Sequence, residues 1–216
     1  MVESIIKTYA MIRSEITEWS LFVSKNEWAA KELEKQQSSK ADILPEHCVA
    51  IYYVVNLDEK IIVDKLYITT WDVKYKEAFK DLNLKWVSSL FKVEPSDIYQ
   101  LEQPEESILA HGGEIIFLLG RDHKVAGTVA MVIHEGECEL AKMTVADHHQ
   151  GKGYAHPLMN EGISWARNKG HASIKLYSNV SLVKAIKLYE KHGFVTIHLG
   201  KHPSYERCSI IMERKF

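Results

Sequence analysis

The sequence predicts an α/β (α+β) protein whose central sheet is mixed but mostly antiparallel and is flanked by helices. Three β-type segments follow one another at 115–119, 125–133 and 137–145, separated by short polar turns, which is typical of an antiparallel meander. From residue 155 onward, helical and strand patterns alternate. A meander followed by alternating helices and strands favours a mixed sheet with helices packed on it, and a helical appendage is expected at the N-terminus.

Residues 1–60 are predicted to form an N-terminal extension that contains a helical hairpin and one strand. The first helix is indicated by apolar residues at alternating spacings of four and three: Ile5, Tyr9, Ile12, Ile16, Trp19 and Val23. Ser24 and Glu27 match a capping box for the second helix, which would end before a polar linker at 36–40. β-formers at 48–56 predict the strand. We expect the hairpin to pack on the core; a dimerisation or partner-binding arm is the alternative.

Residues 61–216 are predicted to form the main domain. Its elements outside the meander, in chain order, are a strand at 61–70, a helix at 73–91, a loop-helix region containing Pro95 and Pro104, a helix that begins near Pro157 and ends near Gly170, a strand at 172–177, a helix at 182–192, and strands at 194–199 and 208–212. The helix near Pro157 is expected to bury four apolar side chains: Leu158, Met159, Ile163 and Ala166.

The composition is that of an ordinary globular domain and argues against several classes of partner. The 216 residues are 46% hydrophobic and 26% charged, with a net charge of −2 and a pI near 6.6. Because there is no basic field, neither nucleic-acid nor membrane binding is expected. Three isolated cysteines, a start without a signal-like pattern, and the lack of a long apolar run predict a reducing, cytoplasmic location.

The most informative motif is Gln150-Gly151-Lys152-Gly153-Tyr154-Ala155, which lies between a strand pattern ending at Val145 and a helix pattern. Glycines let the backbone approach a ligand, and the free N–H groups at a helix start attract anions such as phosphate. The spacing excludes a Walker loop, because Lys152 precedes Gly153 and the upstream glycine is absent. A dinucleotide fingerprint is a weak match, because His156 occupies its third glycine position.

The remaining pattern, Gln/Arg-x-x-Gly-x-Gly/Ala, is matched at Gln150, Gly153 and Ala155 and resembles the pyrophosphate loop of the GNAT superfamily of acyl-CoA N-acyltransferases. The segments at 137–145 and 178–194 resemble the family's strand before the loop and its later strand end, helix and turn. Further segments upstream and near the C-terminus resemble a bacterial-type subgroup, here with an extra N-terminal segment.

A proline and three histidines lie beside the loop. Pro157 departs from the family's usual helix formers, but the first turn of a helix tolerates proline because its N–H groups have no intrahelical acceptor. We expect the helix to begin just before Pro157, since an earlier start would kink it. The spacing of His148, His149 and His156 fits no metal motif, so no metal is expected.

The resemblance implies that the loop binds coenzyme A, with acetyl-CoA as co-substrate. The expected cofactor contacts are the loop, the preceding strand end, whose backbone would pair with the pantetheine amides, and one asparagine: Met143, Thr144, Val145, Gln150, Gly151, Lys152, Gly153, Tyr154, Ala155 and Asn179. Asn179 is alternatively a turn residue. An acceptor pocket is implied at Asn83, Trp86, Tyr205 and Arg207.

Two residues are expected to carry the chemistry. An alkyl amine, with a pKa of about 10.4, must lose a proton before it attacks. Glu139 alternates with Ala141 and Met143 on one strand face and is the candidate general base; a solvated strand-edge carboxylate is the alternative, and Lys142 is expected to point the other way. Tyr189 lies on an apolar helix stripe, typical of a core residue. By the resemblance it is the candidate acid that protonates or hydrogen-bonds the leaving thiolate of coenzyme A.

The sequence therefore predicts an N-acetyltransferase that moves an acetyl group from acetyl-CoA to a primary amine by direct attack in a ternary complex. A non-catalytic acyl-CoA-binding sensor or partner-binding module on the same fold is the alternative, because it would keep the loop without Glu139 or Tyr189. The acceptor is expected to be a small-molecule or peptide amine, and the sequence leaves a homodimer open.

Overall fold

A ten-stranded sheet extends through the described part of the computed structural model, which covers residues 6–12, 15–37, 43–203 and 205–216. Its strands are β1 (Lys7–Ile12), β2 (Glu15–Glu18), β3 (Cys48–Asn56), β4 (Ile61–Thr69), β5 (Glu114–Leu119), β6 (Val125–His134), β7 (Glu137–Val145), β8 (Ser173–Ser178), β9 (Val195–Leu199) and β10 (Ile210–Lys215). Their spatial order is β2-β1-β3-β4-β5-β6-β7-β8-β10-β9. Neighbouring strands run antiparallel except for the parallel pairs β1 with β3 and β7 with β8.

Helices cover both faces of this sheet. They are α1 (Trp19–Lys25), α2 (Glu27–Gln37), α3 (Lys76–Leu90), α4 (Pro95–Glu102), α5 (Pro104–Ser107), α6 (Ala155–Asn168) and α7 (Val183–Lys191). The core on one face includes Leu158 and Met159 of α6, and the core on the other includes Phe79 of α3 and Leu101 of α4. Successive side chains of a strand point to opposite faces, so the central strands of the sheet contribute to both cores.

The structure confirms the predicted fold class, a mixed and mostly antiparallel sheet flanked by helices. From residue 61 onward every predicted element is present, with ends displaced by a few residues. The predicted helix at 73–91, for example, is a short 3₁₀ turn at Val73–Tyr75 followed by α3. The four apolar residues assigned to the core side of α6 are all buried.

The prediction of a long first helix near the N-terminus is wrong. Most of its apolar stripe belongs to a β-hairpin made by β1 and β2, and β1 also pairs in parallel with β3. Ala10 and Met11 are both fully buried, although they are adjacent, because they enter the cores on opposite faces of the sheet. Burial on both sides of the sheet thus outweighed the helical spacing of the stripe, whose first member, Ile5, lies outside the described residues.

The predicted capping box is also wrong, although the second helix exists. Ser24 lies within α1, where its hydroxyl donates to the Leu21 carbonyl oxygen at 2.8 Å, so it cannot cap α2. The helical hairpin is therefore limited to α1 and α2. Gln36, assigned to a linker, belongs to α2 and donates from Nε2 to the Ile62 carbonyl oxygen at 2.9 Å. The rest of that linker, from residue 38 onward, falls outside the described residues.

The proposed domain division at residue 60 lies in the turn between β3 and β4. These two strands pair from Cys48↔Thr69 to Asn56↔Ile61 and belong to the same sheet as the rest of the chain. The N-terminal strands therefore extend the sheet of the main domain. Among the helices that the structure describes, none has the length and apolar character required to cross a membrane.

Candidate active site

The cleft that holds the candidate site opens where β7 and β8 diverge. β7 pairs with β6 along its whole length, from Glu137↔His134 to Val145↔Gly127, but pairs with β8 only at Glu139↔Lys175. Beyond that point the strands separate and enclose a cleft of about 1350 Å³. The backbone groups of 141–145 on the β8 side therefore line the cleft instead of completing a sheet ladder.

The loop predicted to hold an anion forms one wall of this cleft. Gly151 and Gly153 have φ values of 76° and 82°, in the left-handed region that glycine adopts without strain. α6 begins directly after the loop at Ala155, and no side chain among the described residues caps its first turn. The His156 N–H donates to the Gly153 carbonyl oxygen at 3.0 Å and Pro157 has no N–H group, which leaves the backbone N–H groups of 151–155 to bind an anion. The helix dipole adds to the attraction.

The prediction for Pro157 is confirmed. It is the third residue of α6, which continues without a break to Asn168. A proline at that position removes an N–H group that has no partner within the helix, so it leaves the loop and the helix axis undisturbed.

Side chains of the loop hold its backbone in place. Tyr154 is buried, and its hydroxyl donates to the carboxylate of Asp64 on β4. Gln150 donates from Nε2 to the Val145 carbonyl oxygen at 3.1 Å and to Asp147 Oδ1 at 3.3 Å. The side chains of Tyr154 and Gln150, both predicted to contact the cofactor, thus hold the loop in place. The loop backbone lines the cleft. Asp64 carried no sequence signal, because its partner is 90 residues away along the chain.

A β-bulge in β7 corrects the predicted alternation of side chains. The register changes between Thr128↔Thr144 and Ala130↔Ala141, and Lys142 adopts a φ of 49°. The extra residue shifts the side-chain order by one, so Met143 packs into the core under α6 while Lys142 faces α4. Lys142 therefore shares the side of Glu139 and Ala141, contrary to the prediction that it points away.

A chain of hydrogen bonds supports the bulge from the side of α3. Asn83 is 1% exposed, and its Nδ2 donates to the Phe79 carbonyl oxygen at 2.8 Å and to Thr128 Oγ1 at 3.2 Å. Thr128 Oγ1 in turn donates to the Lys142 carbonyl oxygen at 3.1 Å. Through these bonds Asn83 supports the bulged part of β7. It also lines the cleft, and its predicted contact with the acceptor stays a prediction.

Glu139, the candidate base, lies at the point where the two strands part. Burial raises the pKa of its carboxyl above the ordinary glutamate value, and nearby positive charges, Lys142 first among them, offset only part of that effect. A carboxylate with a raised pKa is a stronger proton acceptor than a solvated one. Its position in the cleft and its environment both suit a general base.

Tyr189, the candidate acid, lines the cleft from α7. The helix has an apolar side, yet none of its residues is fully buried, because that side faces the cleft. The ring of Tyr189 packs near Phe194, with centroids 6.2 Å apart. Burial raises the pKa of Tyr189 to about 12, although a hydrogen bond with Ser178 opposes the shift. The hydroxyl is therefore fully protonated at neutral pH and can act only as a donor toward an anion.

The structure favours the turn role for Asn179. Its Nδ2 donates to the Arg207 carbonyl oxygen at 2.7 Å, and its Oδ1 accepts from the Ser181 N–H at 2.9 Å. Both ends of the amide thus hold the turn that begins α7 and tie it to the segment before β10. A contact between Asn179 and a cofactor stays a prediction.

The other predicted acceptor residues line the same cleft as Glu139. Trp86 lines the wall from α3, while Tyr205 and Arg207 come from the segment before β10. The guanidinium of Arg207 binds both carboxylate oxygens of Asp97, with Nη2 to Oδ1 at 2.7 Å, and also contacts the Tyr205 hydroxyl. Asp97 is 1% exposed and was missed by the sequence reading, although it forms a capping box with Glu94 at the start of α4.

The histidines near the loop point in different directions. His156 is buried, and its Nδ1 lies 2.8 Å from Nε2 of His192 at the end of α7. Burial lowers the pKa of His192 to about 4, so this pair is neutral at physiological pH. His149 stacks on the ring of Tyr154, with centroids 5.3 Å apart. The pair of His156 and His192 joins the start of α6 to the end of α7.

The fold and the cleft match a known family. The protein-family model described as "Acetyltransferase (GNAT) family" matches residues 76–194, which are more than half of the 216 residues. The chain therefore belongs to the GNAT acetyltransferase family.

Relatives and solved structures agree with this assignment. Human N-acetyltransferase 8B is 25% identical over 116 residues, which are 51% of this chain and 48% of that protein, so the chain spans about half the length of this curated relative. A GNAT-family acetyltransferase from Staphylococcus aureus superposes with a TM-score of 0.62 at 20% identity, covering 69% of this chain and 98% of the other. The PaiA N-acetyltransferase from Thermoplasma acidophilum, solved in complex with coenzyme A, superposes with a TM-score of 0.56 at 18% identity. The match covers 70% of this chain and 99% of the other. At these identities the likeness establishes the fold.

The loop can be tested with two matched glycine substitutions. Gly153 and Gly170 both have a φ of 82°, but Gly153 faces the cleft and Gly170 follows the far end of α6. Each change to alanine should cost about 1–2 kcal/mol of folding stability through the same strain. Only Gly153→Ala should weaken coenzyme A binding, by about tenfold or more, measured by isothermal titration calorimetry, because it disturbs the anion-binding backbone. Equal affinity in the two variants would contradict this assignment.

Proposed function

We propose that this chain is an acetyl-CoA-dependent N-acetyltransferase that transfers the acetyl group to a primary amine by direct attack in a ternary complex. The observation that carries the proposal is the arrangement of one continuous cleft. The anion-binding loop forms one wall, Glu139 lies where the strands part, and Tyr189 lines the side opposite β7. Acyl transfer to an amine requires an anchored thioester, a neutral amine and a stabilised leaving thiolate. Each of these requirements has a candidate group in the same cleft.

The walls of the cleft fit coenzyme A. The start of α6 and the glycine backbone offer N–H donors to a pyrophosphate, and exposed Lys152 adds a positive charge. The backbone of Met143, Thr144 and Val145 lines the part of the cleft where β8 has separated, so it is free to pair with the pantetheine amides as a neighbouring strand would. The thioester would then lie near the divergence point, between β7 and α7.

Glu139 acts as the proton acceptor for the protonated amine. Near pH 7 only about 10⁻³ to 10⁻⁴ of an alkyl amine is neutral, so the attacking nitrogen must give up a proton. Glu139 accepts that proton directly or through one water molecule and passes it to solvent. The nitrogen lone pair then attacks the thioester carbonyl carbon, and the nitrogen of the resulting tetrahedral intermediate loses its second proton to solvent. The intermediate collapses with cleavage of the carbon–sulfur bond. The products are the amide and the thiolate of coenzyme A.

Tyr189 stabilises the departing thiolate. A thiol has an ordinary pKa of about 8.5, whereas the pKa of Tyr189 is about 12. Complete proton transfer from the tyrosine to the sulfur would therefore be unfavourable. A hydrogen bond from the hydroxyl to the sulfur develops as negative charge builds up, which lowers the barrier without forming a tyrosinate. The thiolate takes its proton from solvent after release.

Thiol release distinguishes the enzyme from the sensor alternative. With acetyl-CoA and a panel of primary amines, we expect an increase in melting temperature on adding acetyl-CoA and amine-dependent release of free thiol, detected with a chromogenic disulfide. The place of Glu139 in the cleft, together with the burial that raises its pKa, favours the enzyme, because a binding module does not need a proton acceptor there. Stabilisation by acetyl-CoA without thiol release across a broad panel would instead support the sensor.

Tyr189→Phe tests the role of the hydroxyl. The ring and its packing remain, so coenzyme A affinity should stay unchanged while kcat falls on the order of 10²-fold, because one donor to the developing thiolate is lost. Tyr99→Phe, at an exposed position on α4, is the control and should leave kcat unchanged. A normal kcat in Tyr189→Phe would show that this tyrosine has a purely structural role.

Glu139→Gln tests the base through the pH dependence of kcat. In the natural protein, kcat at saturating amine should fall as the pH drops through the pKa of Glu139, which burial places above the ordinary value of about 4.3. Glu139→Gln should remove this acid limb and lower kcat by about 10²-fold at neutral pH. Glu137→Gln, which affects an exposed carboxylate paired with Lys175, is the control. An acid limb that persists in Glu139→Gln would exclude this residue as the base.

A further inference from the structure

The region of the cleft next to Glu139, here termed the acceptor end, has largely aromatic walls. Tyr177 of β8 and Tyr205 of the segment before β10 lie close enough to Glu139 for its negative charge to raise the pKa of each hydroxyl, after the larger effect of burial. Trp86 of α3 and Phe91, directly after α3, line the same cleft and pack against each other with ring centroids 6.1 Å apart. An acceptor that reaches Glu139 with its amino group must therefore place its neighbouring atoms against aromatic surface.

Two cations at the acceptor end could have bound an acidic acceptor, but both are already paired. Lys142 Nζ donates to Asp97 Oδ1 at 2.9 Å, and Arg207 binds both oxygens of Asp97 and contacts Glu94 Oε1 at 3.4 Å. The side chains of Lys142 and Arg207 are only 8% and 13% exposed. Burial alone would raise the pKa of Asp97, but these hydrogen bonds hold it well below its usual range, so it is ionised.

The charges of this cluster therefore cancel. Two cations face two carboxylates, Asp97 and Glu94. A third cation, Lys175, lies opposite Glu139 on β8, and it is paired with Glu137 at 2.5 Å. Glu139 itself is negative when it acts as a base. A carboxylate on the carbon next to the amino group would be brought close to Glu139 in a poorly hydrated aromatic pocket. Both charge repulsion and the loss of water oppose such an acceptor.

We infer that the acceptor end selects primary amines that carry an apolar or aromatic arm and no acid group, and that Asp97 sets this selectivity by neutralising Lys142 and Arg207. The inference rests on the proposed function and names its substrate class. An arylalkylamine meets all the conditions: its amino group reaches Glu139, its arm packs on the aromatic walls, and it brings no negative charge. Asp97 would act as a specificity residue without touching the reacting atoms.

The selectivity is tested on the natural protein with matched pairs of acceptors. Thiol release from acetyl-CoA is measured with 2-phenylethylamine against phenylalanine, with tryptamine against tryptophan, and with spermidine as a polyamine without an aromatic arm. We expect kcat/KM for each arylalkylamine to exceed that of its amino acid, and that of spermidine, by at least about tenfold. Equal or greater activity with the amino acids, or with spermidine, would overturn the inference. Absence of thiol release with every amine would instead count against the proposed function.

Asp97→Asn tests the origin of the selectivity. Removing the charge of Asp97 leaves Lys142 and Arg207 in excess, so the preference for 2-phenylethylamine over phenylalanine should shrink, mainly through a lower KM for phenylalanine. Glu94→Gln, which removes only the weaker contact to Arg207, should shift the ratio in the same direction by less and is the variant to use if Asp97→Asn does not fold. Glu102→Gln, on the exposed side of α4, should leave the ratio unchanged. An unaltered ratio in both Asp97→Asn and Glu94→Gln would exclude Asp97 as the source of the selectivity. A merely structural loss is distinguishable from the expected result, because it would reduce the activities with 2-phenylethylamine and with phenylalanine together.

Discussion

The site depends on the separation of β7 from β8. Had these strands continued in register beyond Glu139↔Lys175, the backbone groups of β7 would have been consumed by the sheet and no cleft would exist. The strand is kept in place from its other side, where β6 pairs with it over its full length. One edge of β7 is thus fixed, and the backbone groups on its other edge line the cleft, where water or a ligand can satisfy their hydrogen bonds.

The bulge at Lys142 links the shape of β7 to the charges of the acceptor end. The bulge turns the side chain of Lys142 toward α4, where it meets Asp97, while Asn83 and Thr128 hold the carbonyl oxygen of the same residue from the side of α3. One residue therefore ties the backbone geometry of the cleft to the ion cluster. Because buried charges are costly unless paired, the cluster also fixes the position of the segment that carries Arg207.

The parts of the site that the sequence predicted are those determined locally. The glycine loop, the start of α6 at Ala155 and the place of Pro157 all follow from residues within one short segment. The apolar helix stripe alone indicated a core position for Tyr189, and only the family resemblance pointed to the cleft that it lines. Asp97 was not recoverable, because its partners lie 45 and 110 residues away along the chain and its local pattern indicates only a helix cap.

The sequence by itself determined the element order after residue 60, the glycine loop before α6 and the family resemblance, because local spacing and turn chemistry encode these features. Only the tertiary structure decided that the N-terminal stripe enters the sheet as β1 and β2, that Lys142 joins Glu139 on one side of β7, and that two cations at the acceptor end are neutralised. Two of these outcomes depend on contacts between distant segments: pairing with β3 buries β1 on both faces, and the buried carboxylate of Asp97 binds cations from β7 and from the segment before β10. The third depends on a bulge in the β6–β7 pair, which shifts the register by one residue.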